Sequence, residues 1–263
     1  MRDNTAHSAA TAIWSKVPQI TLAFWIVKIL ATTVGETGGD ALSMTLNLGY
    51  AVSSLILLGF FGVTLFAQMA SKRYHPLFYW AVVVATTTVG TTTSDYLDRT
   101  VGLGYVKSSI MLFCLVLAVL VIWHYATGAI KVDDITTPGN ELFYWLTILV
   151  SNTLGTALGD FTATTAGLGF ERGALLFAGL IAIVAAANFF TKLPKTVLFW
   201  TAYVLTRPLG ATLGDTLTKP HEQGGFALGR ITSSLTIAAA MVVVIALTSL
   251  RKRDQLASQH ATN

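Results

Sequence analysis

The chain has 263 residues, of which 53% are hydrophobic and only 11% are charged, and its formal net charge is +4. Soluble domains carry about 25% charged residues, so this composition excludes a soluble globular enzyme and indicates a polytopic membrane protein. The basic residues are spread over short loops, which argues against a nucleic-acid-binding patch. The single cysteine, Cys114, excludes an internal disulfide framework.

Eight stretches are long and apolar enough to cross a bilayer, which takes about 20 residues of helix. In chain order they lie at residues 18–38, 50–70, 77–96, 105–127, 142–163, 170–190, 195–216 and 227–250. The odd-numbered stretches are rich in Thr and Gly and end in an acidic residue, whereas the even-numbered ones are more apolar. The sequence therefore predicts an all-α transmembrane domain over 18–250. We expect an N-terminal tail at 1–17 without a cleaved signal peptide, and a C-terminal tail at 251–263.

The distribution of Lys and Arg predicts the orientation. The tails and the loops near 71–76, 129–141 and 191–195 carry ten basic residues, and the loops on the other side carry five. Because cytoplasmic loops are enriched in basic residues, both termini are predicted to be cytoplasmic. The expected location is the inner membrane of a bacterium.

The chain also contains a fourfold internal repeat. Four segments align without gaps from a Trp to an Asp 15 residues later, with a Gly ten residues after each Trp. The pairs are Trp25 and Asp40, Trp80 and Asp95, Trp145 and Asp160, and Trp200 and Asp215. The repeats cover about 18–72, 73–130, 138–192 and 193–250. Since each holds two spans, all four share one orientation, which predicts a pseudo-fourfold bundle with the Trp/Asp helices inside and the others toward lipid.

Four tandem two-span repeats, each with a marked Trp, resemble the bacterial membrane proteins of the DUF347 family, whose repeat has no assigned function. The resemblance covers residues 18–250 and implies the architecture but no mechanism. Its marked residue corresponds to Trp25, Trp80, Trp145 and Trp200. The segment 36–40 is also loosely similar to the Glu-x-Gly-Asp motifs of a calcium and manganese exporter family, although the spacing differs and only one repeat has the Glu.

Positions 7, 11 and 15 after each Trp share one helix face, because they are four residues apart. The acids on these stripes are Glu36, Asp40, Asp95, Asp160 and Asp215. Carboxylate oxygens suit Mg²⁺, Ca²⁺ and Mn²⁺, so we predict a metal site built from these five acids. The expected polar path beside it consists of Lys28, Thr32, Thr87, Thr91, Asn152, Thr156 and Arg207. Buried charges in membranes are usually paired, so Lys28 and Arg207 are expected to neutralise nearby acids.

A purely structural interpretation of the same residues stays open. Asp40 lies 22 residues after Pro18, which is about 33 Å along a helix and near the far edge of the hydrocarbon. At that depth each Gly-Asp pair could N-cap a short following helix. The Trp residues would then anchor or pack the spans, and the Gly residues would permit close helix packing.

These patterns favour a secondary transporter for a small cation, with a divalent metal such as manganese as the expected substrate and proton coupling through the crowded carboxylates. The alternatives are a cation channel, and a non-transport scaffold or intramembrane enzyme. We find no nucleophile set or phosphate loop, so we expect neither an enzyme nor a required cofactor. The expected partners are the lipid bilayer and the cation, without nucleic acid, and the sequence leaves the oligomeric state open.

Overall fold

The computed structural model describes residues 16, 18–71, 74–128, 130, 135 and 137–261, with side chains up to 251. Most of the predicted N-terminal tail and most of the predicted linker between repeats two and three lie outside these residues. Within the described part the protein is all-helical, and it contains no strand. The eight long helices are α1 (Leu22–Asp40), α2 (Gly49–Ala70), α3 (Pro76–Asp95), α4 (Gly104–Thr127), α5 (Pro138–Asp160), α6 (Phe170–Phe190), α7 (Lys195–Thr218) and α8 (Arg230–Ala261).

Local sequence signals set where these helices begin. The Thr21 hydroxyl accepts a hydrogen bond from the Phe24 N–H and caps α1, and Thr137 caps α5 in the same way. Pro76 and Pro138 stand in the first turns of α3 and α5, where a missing N–H costs nothing. The helix boundaries follow the predicted spans within a few residues, except that α8 continues well past residue 250 into the predicted tail.

The first helices of the four repeats, α1, α3, α5 and α7, pack on one another in sequence, and α7 returns to α1. We call them the ring helices. The second helices, α2, α4, α6 and α8, are the outer helices, and each packs mainly on the ring helix of the next repeat. Thus α2 packs on α3, α4 on α5, α6 on α7, and α8 on α1. The last outer helix therefore meets the first ring helix, and the arrangement closes on itself.

The outer helices expose large apolar side chains. Phe66 on α2 and Leu235 on α8 are 75% and 67% exposed. Among the described residues, five helical segments are long and apolar enough to cross a membrane, namely the four outer helices and the segment Pro138–Thr165 that contains α5. Water would strongly disfavour such a surface, so these helices indicate a multi-pass membrane protein. The ring helices are less apolar because they bury Thr and charged side chains against one another.

The N-terminal halves of the ring helices meet in an aromatic cluster, which we call the Trp end. It contains Trp80, Trp145 and Trp200, with Tyr79, Tyr144, Tyr203 and Phe24 packed among them. The hydroxyls of Tyr79 and Tyr144 lie 2.7 Å apart. These Trp side chains are buried, and so they pack the ring and do not anchor it at an interface.

At the opposite end, the Asp end, the structure contradicts the capping interpretation of the Gly-Asp pairs. Three of the ring helices run on through their Asp into a single π-helical turn, at Ala41–Thr45, Tyr96–Thr100 and Phe161–Thr165. The aspartate preceding each turn has helical backbone angles and makes no side-chain capping bond. Asp215 lies within α7, which continues to Thr218. The four Asp side chains are therefore free to face other partners.

Candidate functional site

Glycines bring the polar stripes of neighbouring ring helices together. The Gly ten residues after each Trp faces the residue seven after the Trp of the next repeat, and no Cβ would fit between them without displacement or crowding. The pairs are Gly35 with Thr87, Gly90 with Asn152, Gly155 with Arg207, and Gly210 with Thr32. Two of the Thr hydroxyls also donate across the contact, Thr32 to the Thr206 carbonyl and Thr87 to the Ala31 carbonyl, both at 3.2 Å.

A buried ion pair occupies the middle of the ring. The Arg207 Nη1 and Nη2 atoms both lie 3.1 Å from Glu36 Oε2. The same guanidinium donates to the Thr91 hydroxyl at 2.5 Å and to the Thr156 hydroxyl at 2.6 Å. Both charged residues are fully or almost fully buried. One residue from each ring helix thus joins this cluster, and Arg207 neutralises Glu36 as predicted from its place on the stripe.

The second predicted neutralising base behaves differently. Lys28 is completely buried toward the Trp end, where its Nζ lies 3.4 Å from Asn152 Oδ1 and 4.2 Å from the centre of the Tyr203 ring. Among the described residues it makes no salt bridge. It is two helical turns away from Glu36 on the same face, which is too far for a direct pair. The expectation that Lys28 neutralises an acid is therefore wrong, and its amino group contacts an amide oxygen and an aromatic face.

At the Asp end, two cations bridge the four aspartates in pairs. Arg99 lies 3.1 Å from Asp95 and 3.5 Å from Asp160. Lys219, which follows the last residue of α7, lies 3.0 Å from Asp215 and 3.3 Å from Asp40. All four carboxylates are buried.

The surroundings of Lys219 keep its side chain charged. Burial lowers the pKa of the Lys219 ammonium, but the nearby carboxylates outweigh this effect, and its net pKa lies above the ordinary lysine value. Lys219 therefore remains a cation at neutral pH.

Three of the five predicted metal ligands come together. Glu36, Asp40 and Asp215 each offer a carboxylate oxygen, and these oxygens lie within 4.8 Å of one another. We call these residues the carboxylate trio. Asp40 Oδ1 is buried and has no hydrogen-bond partner within the described part of the chain. Asp95 and Asp160 do not belong to this group, and both contact Arg99. The trio offers ligands that suit a hard cation, because all of its donor atoms are oxygen.

A family model described as "Repeat of Unknown Function (DUF347)" matches the chain four times, at residues 23–74, 78–129, 143–193 and 198–254. The chain belongs to the DUF347 family. Each DUF347 match holds one ring helix and the outer helix that follows it. Comparison with curated proteins and with solved structures found no match.

The DUF347 repeats also show what reasoning from the sequence missed. Arg99 and Lys219 are two of the five basic residues in the loops on the side opposite the tails, but each lies four residues after its Asp, one step further along the same stripe. The equivalent positions of DUF347 repeats one and three hold Met44 and Thr164. Extending the four-residue spacing beyond the Asp would have revealed both cations. Because only every second repeat has a cation at this position, the pattern would have indicated that each cation serves two aspartates.

Proposed function

We propose that the protein is a secondary transporter for a small hard cation, with a divalent metal such as manganese as substrate and the carboxylate trio as its binding site. In this proposal all eight helices cross the inner membrane of a bacterium. The four repeats are related by a pseudo-fourfold axis along the membrane normal, and both termini are cytoplasmic. The closed ring of α1, α3, α5 and α7 and the cyclic glycine contacts support this arrangement.

The observation that carries the proposal is the trio itself. Burying three carboxylates within 4.8 Å of one another is costly, and acids within membrane spans generally mark ion or proton pathways. Arg207 lies on Glu36 and compensates one of the three charges. With all groups ionised, the trio and Arg207 together carry −3 + 1 = −2, before the charges of Lys219 and Arg230 at the edge of the trio are counted. A divalent cation that takes the place of those side chains neutralises this charge, whereas a monovalent cation leaves −1.

The line of polar groups along the ring supports transport over a purely structural role. From the Asp end it runs through the trio to the Arg207 cluster, and then through Asn152 and Lys28 to the buried tyrosines. Carboxylates crowded in this way compete for protons. Exchange of a divalent cation for protons would thus use an existing ion gradient.

Two features favour a transporter over the alternative of an open channel. The trio involves only α1 and α7, because Glu36 has no acidic counterpart in the other repeats. In addition, packed aromatic side chains fill the Trp end of the ring. A buried site beside a closed Trp end fits alternating access better than continuous conduction.

The test is Mn²⁺ flux into proteoliposomes that contain the full chain, followed with one internal dye for Mn²⁺ and one for pH. We expect saturable Mn²⁺ uptake above that of empty liposomes, coupled to proton movement in the opposite direction. Asp40→Asn removes one member of the trio and should lower uptake at a limiting Mn²⁺ concentration by about tenfold or more, which corresponds to losing about 1.4 kcal/mol of binding. Asp95→Asn is the matched control, because Asp95 is an equally buried acid at the same repeat position outside the trio.

The outcomes separate the candidate functions. Equal losses in the two Asn variants with non-saturating flux would indicate a symmetric ring of acids and a channel. Absence of Mn²⁺ flux from wild-type vesicles would reject manganese transport and leave the scaffold and intramembrane-enzyme alternatives.

A further inference from the structure

The ammonium group of Lys219 lies on the carboxylate trio. Its Nζ is 3.0 Å from Asp215 and 3.3 Å from Asp40, and its side chain is only 9% exposed. A metal ion bound by carboxylates lies about 2.0–2.6 Å from its oxygens, so the ammonium takes up the space that such an ion would need. The protein's own side chain and a substrate cation therefore compete for two of the same ligands.

Arg99 provides an internal comparison, because it holds the same repeat position and also bridges two aspartates. Its guanidinium is fixed from outside by the hydroxyls of Tyr50 at 3.0 Å and Tyr105 at 3.2 Å. Lys219 has no such polar support among the described residues. The Lys219 Nζ also lies 5.9 Å from the centre of the Phe170 ring. A lysine ammonium on its flexible stem is also easier to move than a planar guanidinium held by several donors.

The charge of the site determines which kind of cation can replace the ammonium. With all three carboxylates ionised, the trio with Arg207 carries −2, and the Lys219 ammonium reduces this to −1. A divalent ion that replaces the ammonium brings the sum to zero, whereas a monovalent ion only reproduces the charge already present. Arg230 also approaches Asp40, at 3.5 Å, but its side chain is 27% exposed and its charge is more strongly screened by solvent.

We infer that Lys219 is a tethered cation that occupies the carboxylate trio until a divalent substrate displaces it, and that it thereby sets the affinity of the site and disfavours monovalent ions. This inference rests on the proposed function, since it concerns the same site. Lys219 would act as a specificity-determining residue without being a metal ligand. Displacement would leave its ammonium at the Asp end of the ring.

The test measures Mn²⁺ binding to the purified full-chain protein in detergent by electron paramagnetic resonance. Lys219→Met removes the tethered charge and nearly preserves the length of the side chain. We expect it to lower the Kd for Mn²⁺ by about tenfold or more, because a short tether supplies a competitor at millimolar effective concentration or above. Arg99→Met makes the same kind of change at the equivalent position outside the trio, and it should leave the Kd within about threefold of wild type. Lys219→Arg keeps the charge and should not tighten binding.

A second measurement uses the wild-type chain and does not depend on any variant folding. Acetic anhydride acetylates lysines that are accessible and not held in ion pairs, and mass spectrometry reports the extent at each site. Mn²⁺ should increase acetylation of Lys219 several-fold but not that of Lys107, which is outside the site.

These results distinguish the inference from the proposed function. If wild type binds Mn²⁺ but Lys219→Met binds no tighter, or if Mn²⁺ leaves acetylation of Lys219 unchanged, the tethered-cation inference is overturned and the transporter proposal survives. If neither protein binds Mn²⁺, both are overturned.

Discussion

The Glu36–Arg207 pair gives the sharpest prediction about stability. Its atoms are 3.1 Å apart and the two side chains are 4% and 0% exposed. At an effective dielectric constant of about 20, two unit charges at this distance attract by about 5 kcal/mol. Removing one partner of a buried pair typically costs about 3–5 kcal/mol, because the other charge is left uncompensated.

Glu36→Gln should therefore destabilise the fold by about 3–5 kcal/mol, although Gln keeps the shape and can still accept hydrogen bonds. The double variant Glu36→Gln with Arg207→Gln carries no stranded charge, and it should recover roughly half of the loss or more. The assay is reversible unfolding in mixed micelles with increasing SDS, with wild type, both single variants and the double variant measured together. The four proteins form a double-mutant cycle that isolates the coupling energy of the pair.

Two results would refute this reasoning. If Glu36→Gln lies within about 1 kcal/mol of wild type, Glu36 is neutral in the fold and the pair is only a hydrogen bond. If the double variant loses as much as the two single variants combined, the two charges are not coupled. Because the single variant is expected to be unstable, its transport activity is meaningful only when the folded fraction has been measured as well.

Two further predictions concern packing and topology. Gly155→Ala should destabilise the fold by about 1–3 kcal/mol in the same assay, because the added methyl group overlaps Arg207. Gly179→Ala on the outer helix α6 has open space around it and should not destabilise the fold, so equal effects would show that close approach in the ring is unimportant. Reporter fusions in three loops, at Lys72, Lys131 and Lys192, should all report a cytoplasmic location. A single fusion that reports the other side of the membrane would contradict the parallel-repeat topology.

Much of the ring could be predicted from the sequence, because its determinants are periodic. The spacing of four along each stripe places Glu36, Thr91 and Thr156 at one level, and the structure joins all three to Arg207. The repeated Gly indicated close contact, but its partner could not be read from one helix alone. That partner depends on how far neighbouring helices are staggered, which is a property of the assembled ring.

The division of the acids could not be predicted by treating the four repeats as equivalent. The stripe predicts four similar aspartates, whereas the structure sorts them into two bridged pairs. The residues that determine this pairing are Arg99 and Lys219. Each lies four residues after the Asp of its own repeat, beyond the end of the predicted span. The lack of an acidic partner for Lys28 among the described residues was also not predicted, although two turns of helix separate Lys28 from the nearest acid on its own stripe.

The packing of α8 on α1 has a consequence for how the chain is made. Every other ring helix emerges from the ribosome just after the outer helix that will cover it, since α2 precedes α3, α4 precedes α5 and α6 precedes α7. The helix α1 alone is synthesised first and covered last. During most of translation, Lys28 and Glu36 on α1 have no contact with α7, which carries Arg207, and α8 does not yet cover them. Until α7 and α8 have been synthesised, α1 must therefore remain at the membrane with part of its surface uncovered. A chain that is terminated early would lack these helices, and its ring could not close.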